Sequence, residues 1–345
     1  MKANPTGIGM ISGGLDSLLA TIVLKKLGAE LRGVHFLNGF APGSMKDRVY
    51  ENRSMAEIAA EKETELSRLF GIPVDVIDVS AEFLPLLDDP RHGFGKNINP
   101  CIDCRIFLLR KAKEIMTREK ADFIYTGEVL GQRPMSQHIN AMRLVEKESG
   151  LQGLLLRPLS ARLLAPTKPE IDGLIDREKL LDIQGRSRRR QLELVEKFEV
   201  CSYQSPGGGC TLTDENYARK FIDLQRNRGE RILTVEDTVL LSTGRHLRLS
   251  PKTKIIVGRN QKENQYIENK WGDSALAAAV DFPGPTVIIQ GDPDEEDILR
   301  AAAVTARYGQ GKDLPTVKVS VKKGEEEKIY EVSPASEDDL ERWRI

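Results

Sequence analysis

The stretch Ile8-Gly9-Met10-Ile11-Ser12-Gly13-Gly14-Leu15-Asp16-Ser17 decides how the chain folds. An apolar run ends in a pair of glycines, and behind them Leu18, Leu19, Ile22, Val23 and Leu27 recur at helical spacing. The spacing predicts a strand, a tight turn and a helix that buries one face. Gly13 and Gly14 carry no Cβ, so backbone N–H groups there can come close to a ligand. The helix start adds unpaired N–H donors and about half a positive charge. Ser12 and Ser17 add hydroxyls. A turn built this way cradles a phosphate. It is not a Walker A loop, because no lysine stands at the turn, and it is not G-x-G-x-x-G either.

Downstream, strand and helix patterns alternate. Residues 31–36 and 74–79 read as strands, separated by a charged helical stretch over 54–69 that stops at Gly71 and Pro73. Residues 121–126 read as a further strand, and 154–156 as a short buried one. The alternation implies a parallel sheet with helices on both faces, and a ligand beyond the carboxyl ends of its strands. That edge collects Ser12, Gly13, Gly14, Leu15, Asp16 and Ser17, together with His35, Thr126, Gly127 and Glu128. These are the candidate nucleotide-binding residues.

The 345 residues suffice for two hydrophobic cores. No apolar run approaches the roughly 20 residues that span a bilayer. The first strand begins too close to Met1 for a signal peptide, so a cytoplasmic protein without membrane partners is expected. The net charge of −1 gives no argument for nucleic acid, which must come from local patches.

Four cysteines in such a chain point to chemistry or metal rather than a disulfide framework. Cys101 and Cys104 follow Asn99-Pro100 at a helix start, a position expected to lower a thiol's pKa. Cys210 follows Ser205-Pro206-Gly207-Gly208-Gly209, a glycine loop able to bend a thiol toward a distant target. Two readings of Cys101, Cys104 and Cys210 stay open. Three thiolates could hold a [4Fe-4S] cluster with one iron free to carry sulfide. Alternatively, one cysteine carries a persulfide that another resolves. Structural zinc would need Cys201 as a fourth ligand.

Ser-Gly-Gly-Leu-Asp-Ser at residues 12–17 resembles the PP-loop of the ATP pyrophosphatase superfamily. The resemblance implies a Rossmann-like domain of the adenine nucleotide alpha hydrolase type, which splits ATP between its α- and β-phosphates and adenylates a substrate. Thr-Gly-Glu-Val-Leu-Gly-Gln at residues 126–132, then Ser-Gln at 136–137 and Leu-Arg-Pro-Leu at 156–159, are similar to tRNA 4-thiouridine synthetases. Asn-Pro-Cys at residues 99–101 resembles the stretch that carries a catalytic cysteine in tRNA 2-thiouridylases, and the three-cysteine set resembles the cluster-dependent tRNA thiolation enzymes. The 4-thiouridine synthetases carry an N-terminal THUMP region for RNA, for which there is no room before Gly7, so RNA contacts are expected elsewhere.

One such place is Gly185-Arg186-Ser187-Arg188-Arg189-Arg190, with four arginines in five positions. A second is the C-terminal region, where short strands are predicted over 238–241, 247–249 and 254–257. Arg245, Arg248, Lys252, Lys254 and Arg259 form a basic stripe there with no acid between residues 244 and 262. Gly-Arg-His-Leu-Arg-Leu-Ser-Pro at 244–251 and Val-Gly-Arg-Asn at 257–260 resemble the RNA-binding domain of NFACT proteins.

The fold expected is α/β, a parallel-sheet PP-loop domain over 1–200, a cysteine loop and connecting helix over 201–230, and a smaller α+β RNA-binding domain over 231–345. The expected activity is that of an ATP-dependent tRNA sulfurtransferase using ATP and Mg2+, with Asp16, Cys101, Cys104 and Cys210 as its catalytic residues. Its partners would be tRNA, a sulfur donor (a cysteine desulfurase or free sulfide) and, as an option, a second copy of the chain. Two other readings compete: a PP-loop synthetase or amidotransferase acting on a small molecule, and a non-catalytic, ATP-sensing RNA-binding factor.

Overall fold

The computed structural model describes residues 4–41, 53–133, 135–203, 209–229, 232–270 and 272–345. The glycine loop predicted before Cys210 therefore lies, from residue 205 to 208, outside the described residues. The chain divides into two compact units, the first running to Thr211 and the second from Leu212 to Ile345.

Among the described residues of the first unit, five strands form one parallel sheet: β1 (Thr6–Met10), β2 (Glu30–Leu37), β3 (Val74–Asp78), β4 (Phe123–Thr126) and β5 (Leu155–Leu156). Their order is β3-β2-β1-β4-β5. The chain moves outward from β1 in one direction and then returns to its other side, so the order reverses between β1 and β4. A parallel sheet opens a crevice at that point, beyond the strand ends. The main helices are α1 (Leu15–Lys26), α2 (Met55–Phe70), α3 (Cys101–Glu119), α4 (Ile139–Ser149) and α5 (Arg189–Lys197).

Strand alternation sorts the core into two layers. Phe123 and Tyr125 of β4 pack with Leu15, Leu19 and Val23 of α1, while Ile124 faces the other way and joins Ile106 and Leu109 of α3. On β1, Ile8 and Met10 face α3, and the register places Gly7 and Gly9 beside Phe123 and Tyr125. A Cβ on Gly9 would stand 2.3 Å from the Tyr125 ring. Glycine on this strand makes room for the aromatic pair on its neighbour.

The described part of the second unit is a six-stranded antiparallel sheet in the order β11-β10-β8-β9-β7-β6. Its strands are β6 (Arg245–Arg248), β7 (Thr253–Val257), β8 (Ala275–Ala279), β9 (Val287–Gly291), β10 (Val317–Lys323) and β11 (Glu326–Val332). Its main helices are α6 (Glu215–Asn227), α7 (Val235–Ser242), α8 (Gln261–Asn269), α9 (Glu295–Tyr308) and α10 (Glu337–Trp343). One sheet face, with Ile255, Val257, Val287 and Ile289, buries the alanine-rich side of α9. The other, with Ile256 and Ile288, receives Ile267 of α8. The fold class is therefore the expected one, α/β followed by α+β.

One element differs. Residues 238–241, expected as a strand, lie in α7. Thr234 and Asp237 form a reciprocal capping box at its start. That cap nucleates a helix through a β-branched run that would otherwise favour a strand.

Candidate functional site

The turn after β1 lies at the sheet's carboxyl edge, next to the order reversal. Gly13 adopts φ +81°, a left-handed conformation that a Cβ would disfavour. α1 then starts at Gly14 with no side chain capping its first N–H groups. Around the turn, Ser17 Oγ donates to the Gly14 carbonyl at 2.8 Å and meets Ser12 Oγ at 3.1 Å. Leu15, by contrast, is buried and anchors the helix in the core. An uncapped helix start behind a glycine turn with two hydroxyls fits the phosphates of ATP.

The loop after β4 closes on this turn. A Cβ on Gly127 would lie 2.4 Å from both the Asp16 carbonyl carbon and the Ser17 nitrogen, so only glycine allows the two backbones to approach this closely. From the same loop, Gln132 Nε2 donates to Asp16 Oδ2 at 2.9 Å. His35 sits at the end of β2, its Nδ1 2.7 Å from the Ile11 carbonyl. A carbonyl only accepts, so Nδ1 donates, and the ring pins the backbone entering the turn. Burial lowers the pKa of His35, consistent with a neutral ring.

Glu128 lies beneath the edge and holds it together. Its carboxylate accepts from Arg105 Nε at 2.9 Å and Arg157 Nε at 2.9 Å, and Thr126 Oγ1 donates to it at 3.2 Å. Arg157 also pairs with Glu146. Burial alone would push the Glu128 carboxyl up, but Arg105 and Arg157 outweigh it and bring the pKa down to about 2. Thr126 and Glu128 thus support the loop from below.

Arg105 belongs to α3, whose first residues carry the thiols. Cys101 and Cys104 are half-buried, as is Cys210, and none of the four cysteines is in a disulfide. Burial raises Cys101, against the opposing charges of Arg133 and Arg105. Cys104 is pushed up to about 12, by burial first and then by the nearby Cys210 and Cys101 thiols. The fold therefore brings Cys104 within electrostatic reach of both other cysteines. The lowering expected at a helix start is not found, because lost hydration raises both thiols. Among the described residues, no group of three or more His, Cys, Asp or Glu is arranged to hold a metal ion. As placed, Cys101, Cys104 and Cys210 do not form a cluster or zinc site. Cys201 is exposed, its Sγ directed at the Glu199 carbonyl.

These environments predict an order of alkylation at pH 8. Cys201 should react first with iodoacetamide and Cys104 last, read by peptide mass spectrometry of time points. Cys104 labelling as fast as Cys201 would contradict the burial argument.

Residues 3–164 match the family described as thiamine biosynthesis protein (ThiI), and residues 244–344 match the NFACT protein RNA binding domain. The chain thus carries an N-terminal region similar to the ThiI family and a C-terminal region similar to the NFACT RNA-binding domain. Over 106 residues it is 31% identical to the tRNA-specific 2-thiouridylase MnmA of Desulfosudis oleivorans, covering 30% of this chain and 26% of that one. Over 226 residues it is 25% identical to a probable tRNA sulfurtransferase of Ureaplasma parvum, covering 64% and 51%. The chain thus spans about a quarter to about half the length of these curated relatives. Among solved structures, a 4-thiouridine synthetase–RNA complex with bound ATP aligns with 59% of this chain and 55% of its own, at 19% identity and a TM-score of 0.34.

In the first unit, the arginine run opens α5. Arg186, Arg189 and Arg190 are exposed, with Arg189 paired to Glu193 and Arg190 to Asp182. Arg188 instead comes within 4.0 Å of Asp16. In the second unit, Arg245, Lys252 and Arg259 are exposed, Arg245 stacking on Tyr308 and Arg259 pairing with Glu263. Arg248 is half-buried against Asp223 at 2.7 Å. Lys254 does not belong to a phosphate-binding surface: it is 5% exposed and its Nζ pairs with Asp223 at 3.1 Å. The stripe contains no acid of its own, but α6 supplies one from 25 residues or more upstream.

No helix among the described residues is long and apolar enough to cross a membrane. The residues missed by sequence reasoning are Arg105, Gln132 and Gln191. Each acts through a partner 23 to 175 positions away, and no local pattern signals such pairings.

Proposed function

We propose that this chain is an ATP-dependent tRNA sulfurtransferase that adenylates a uridine carbonyl and replaces its oxygen with sulfur. The observation that carries the reading is the Arg105–Glu128 pair, which ties the cysteine-bearing start of α3 to the loop closing on the phosphate turn. Phosphate recognition and thiol chemistry thereby share one sheet edge. The RNA-binding domain and the exposed arginines of residues 186–190 supply contacts for the tRNA backbone.

A carbonyl oxygen is a poor leaving group and AMP a good one, which is why activation comes first. The uridine oxygen bonds to the α-phosphorus of ATP as the bond to the β-phosphate breaks and pyrophosphate departs. The N–H groups at the start of α1, the Ser12 and Ser17 hydroxyls and the helix dipole hold that charge. Asp16 would help hold Mg2+, whose charge would neutralise the phosphates. Cys101 acts with Cys104 or Cys210, and one of the pair carries a persulfide received from a sulfur donor of the cysteine desulfurase kind. Its terminal sulfur attacks the activated carbon, and AMP leaves with the oxygen. A second cysteine thiolate then attacks the carrier Sγ, freeing the thiolated base and leaving a disulfide between the two cysteines. An external dithiol reduces it for the next turnover.

The test is pyrophosphate release from ATP with and without unmodified tRNA. Release that requires tRNA supports the reading. Release stimulated by a small molecule and indifferent to tRNA would favour a small-molecule synthetase instead.

A further inference from the structure

The four arginines of residues 186–190 read as one basic patch in sequence, but the fold divides them. Arg189 has a side chain 85% exposed and Arg190 one 49% exposed, each paired with a surface acid. Arg188 turns inward, its Nη2 4.0 Å from Asp16 Oδ2. Three residues on, Gln191 is 0% exposed, with its Nε2 3.4 Å from Asp16 Oδ1 and 3.5 Å from Gln132 Oε1. Its Oε1 has no hydrogen-bond partner among the described residues. Neither helix start is capped by the side chain of its own N-cap residue; Ser187 Oγ accepts from Arg189 N, and Ser12 Oγ from Gly14 N, each at a long 3.4 Å. The first turns of α1 and α5 therefore meet at the Asp16 carboxylate, through the Arg188 and Gln191 side chains.

We infer that the first turn of α5 forms the second wall of the nucleotide site, and that Arg188 binds the β- and γ-phosphates of ATP, the half that departs as pyrophosphate. The inference deepens the sulfurtransferase reading and rests on its use of ATP. A triphosphate carries more charge than the start of α1 alone can balance, and a guanidinium fork matches phosphate oxygens. Arg188 stands beside Asp16, in the part of the site that receives phosphates, and its side chain is 33% exposed. It has room to exchange one anion for another. Gln191 keeps the helix start in place through its contacts with Asp16 and Gln132. Arg188 thereby links the tRNA-facing arginines to the ATP site through consecutive residues.

Calorimetric titration of the full-length chain with ATP, pyrophosphate and AMP, each with magnesium, tests this. Arg188→Ala should bind ATP and pyrophosphate at least about tenfold more weakly, as for loss of one charge-assisted contact. It should bind AMP like the wild type, and Arg188→Lys should recover part of the loss. Unchanged affinity of Arg188→Ala for ATP and pyrophosphate would overturn the assignment, as would an equal loss for AMP. A wild-type chain that binds neither ATP nor pyrophosphate would instead sink the sulfurtransferase reading itself, and this inference with it.

Discussion

Replacing Arg157 with methionine is expected to cost the first unit about 3–5 kcal/mol of stability, the range for breaking a buried ion pair from one side. Arg157 has a side chain only 2% exposed, and it pairs with Glu128 at 2.9 Å and with Glu146. Glu128 is itself 3% exposed. Removing the guanidinium leaves a buried carboxylate with Arg105 as its remaining cation. Urea denaturation should show a lower midpoint with an unchanged slope. Adding Glu128→Gln to Arg157→Met should recover part of the loss, because the cost comes from the stranded charge.

The same network predicts acid sensitivity. The Glu128 pKa falls from its ordinary 4.5 to about 2 on folding. A depressed carboxyl stabilises the fold fully above its unfolded value, and that contribution disappears as pH drops from about 4.5 toward 2. The Glu128→Gln variant should therefore lose less stability than the wild type over that window. An unfolding free energy for Arg157→Met within about 1 kcal/mol of wild type would show that water reaches the site, contrary to the burial described.

The second large effect concerns catalysis. Cys101→Ser is expected to reduce tRNA thiolation about 10^4-fold or more, the scale for loss of a nucleophile acting as part of a unit. A serine oxygen cannot carry the sulfane sulfur or close a disulfide. Adenylation does not need the thiol, so a single turnover should still release pyrophosphate when tRNA is added. Affinity for tRNA should be unchanged. A Cys101→Ser enzyme that thiolates normally would remove Cys101 from the chemistry. One that fails to release pyrophosphate would give it a role in the nucleotide site instead.

Much of the fold was legible because its signals are local. The Gly13-Gly14 turn, the helical spacing behind it and the alternating strands each occupy a few consecutive residues. The misread segment over 238–241 shows the limit of propensity, since Val239, Leu240 and Leu241 suit a strand until Thr234 and Asp237 are seen as a cap. The site was less legible. Asp16 was visible in its motif, but Gln132 and Gln191, which hold it, lie 116 and 175 positions away. The thiols show the same gap: a helix start was evident from Asn99-Pro100, whereas the burial that raises Cys101 and Cys104 is a property of the packed edge. Lys254 reads as basic and exposed in sequence, yet Asp223 takes it inside. Charge is written in the sequence, but its partners are chosen by the fold.

The most direct test of the sulfurtransferase reading is nucleoside mass spectrometry of total tRNA from cells with and without this gene. One thionucleoside should vanish from the deleted strain, return with the wild-type gene and fail to return with Cys101→Ser. If every thionucleoside persists at its normal level in the deleted strain, this protein does not thiolate tRNA.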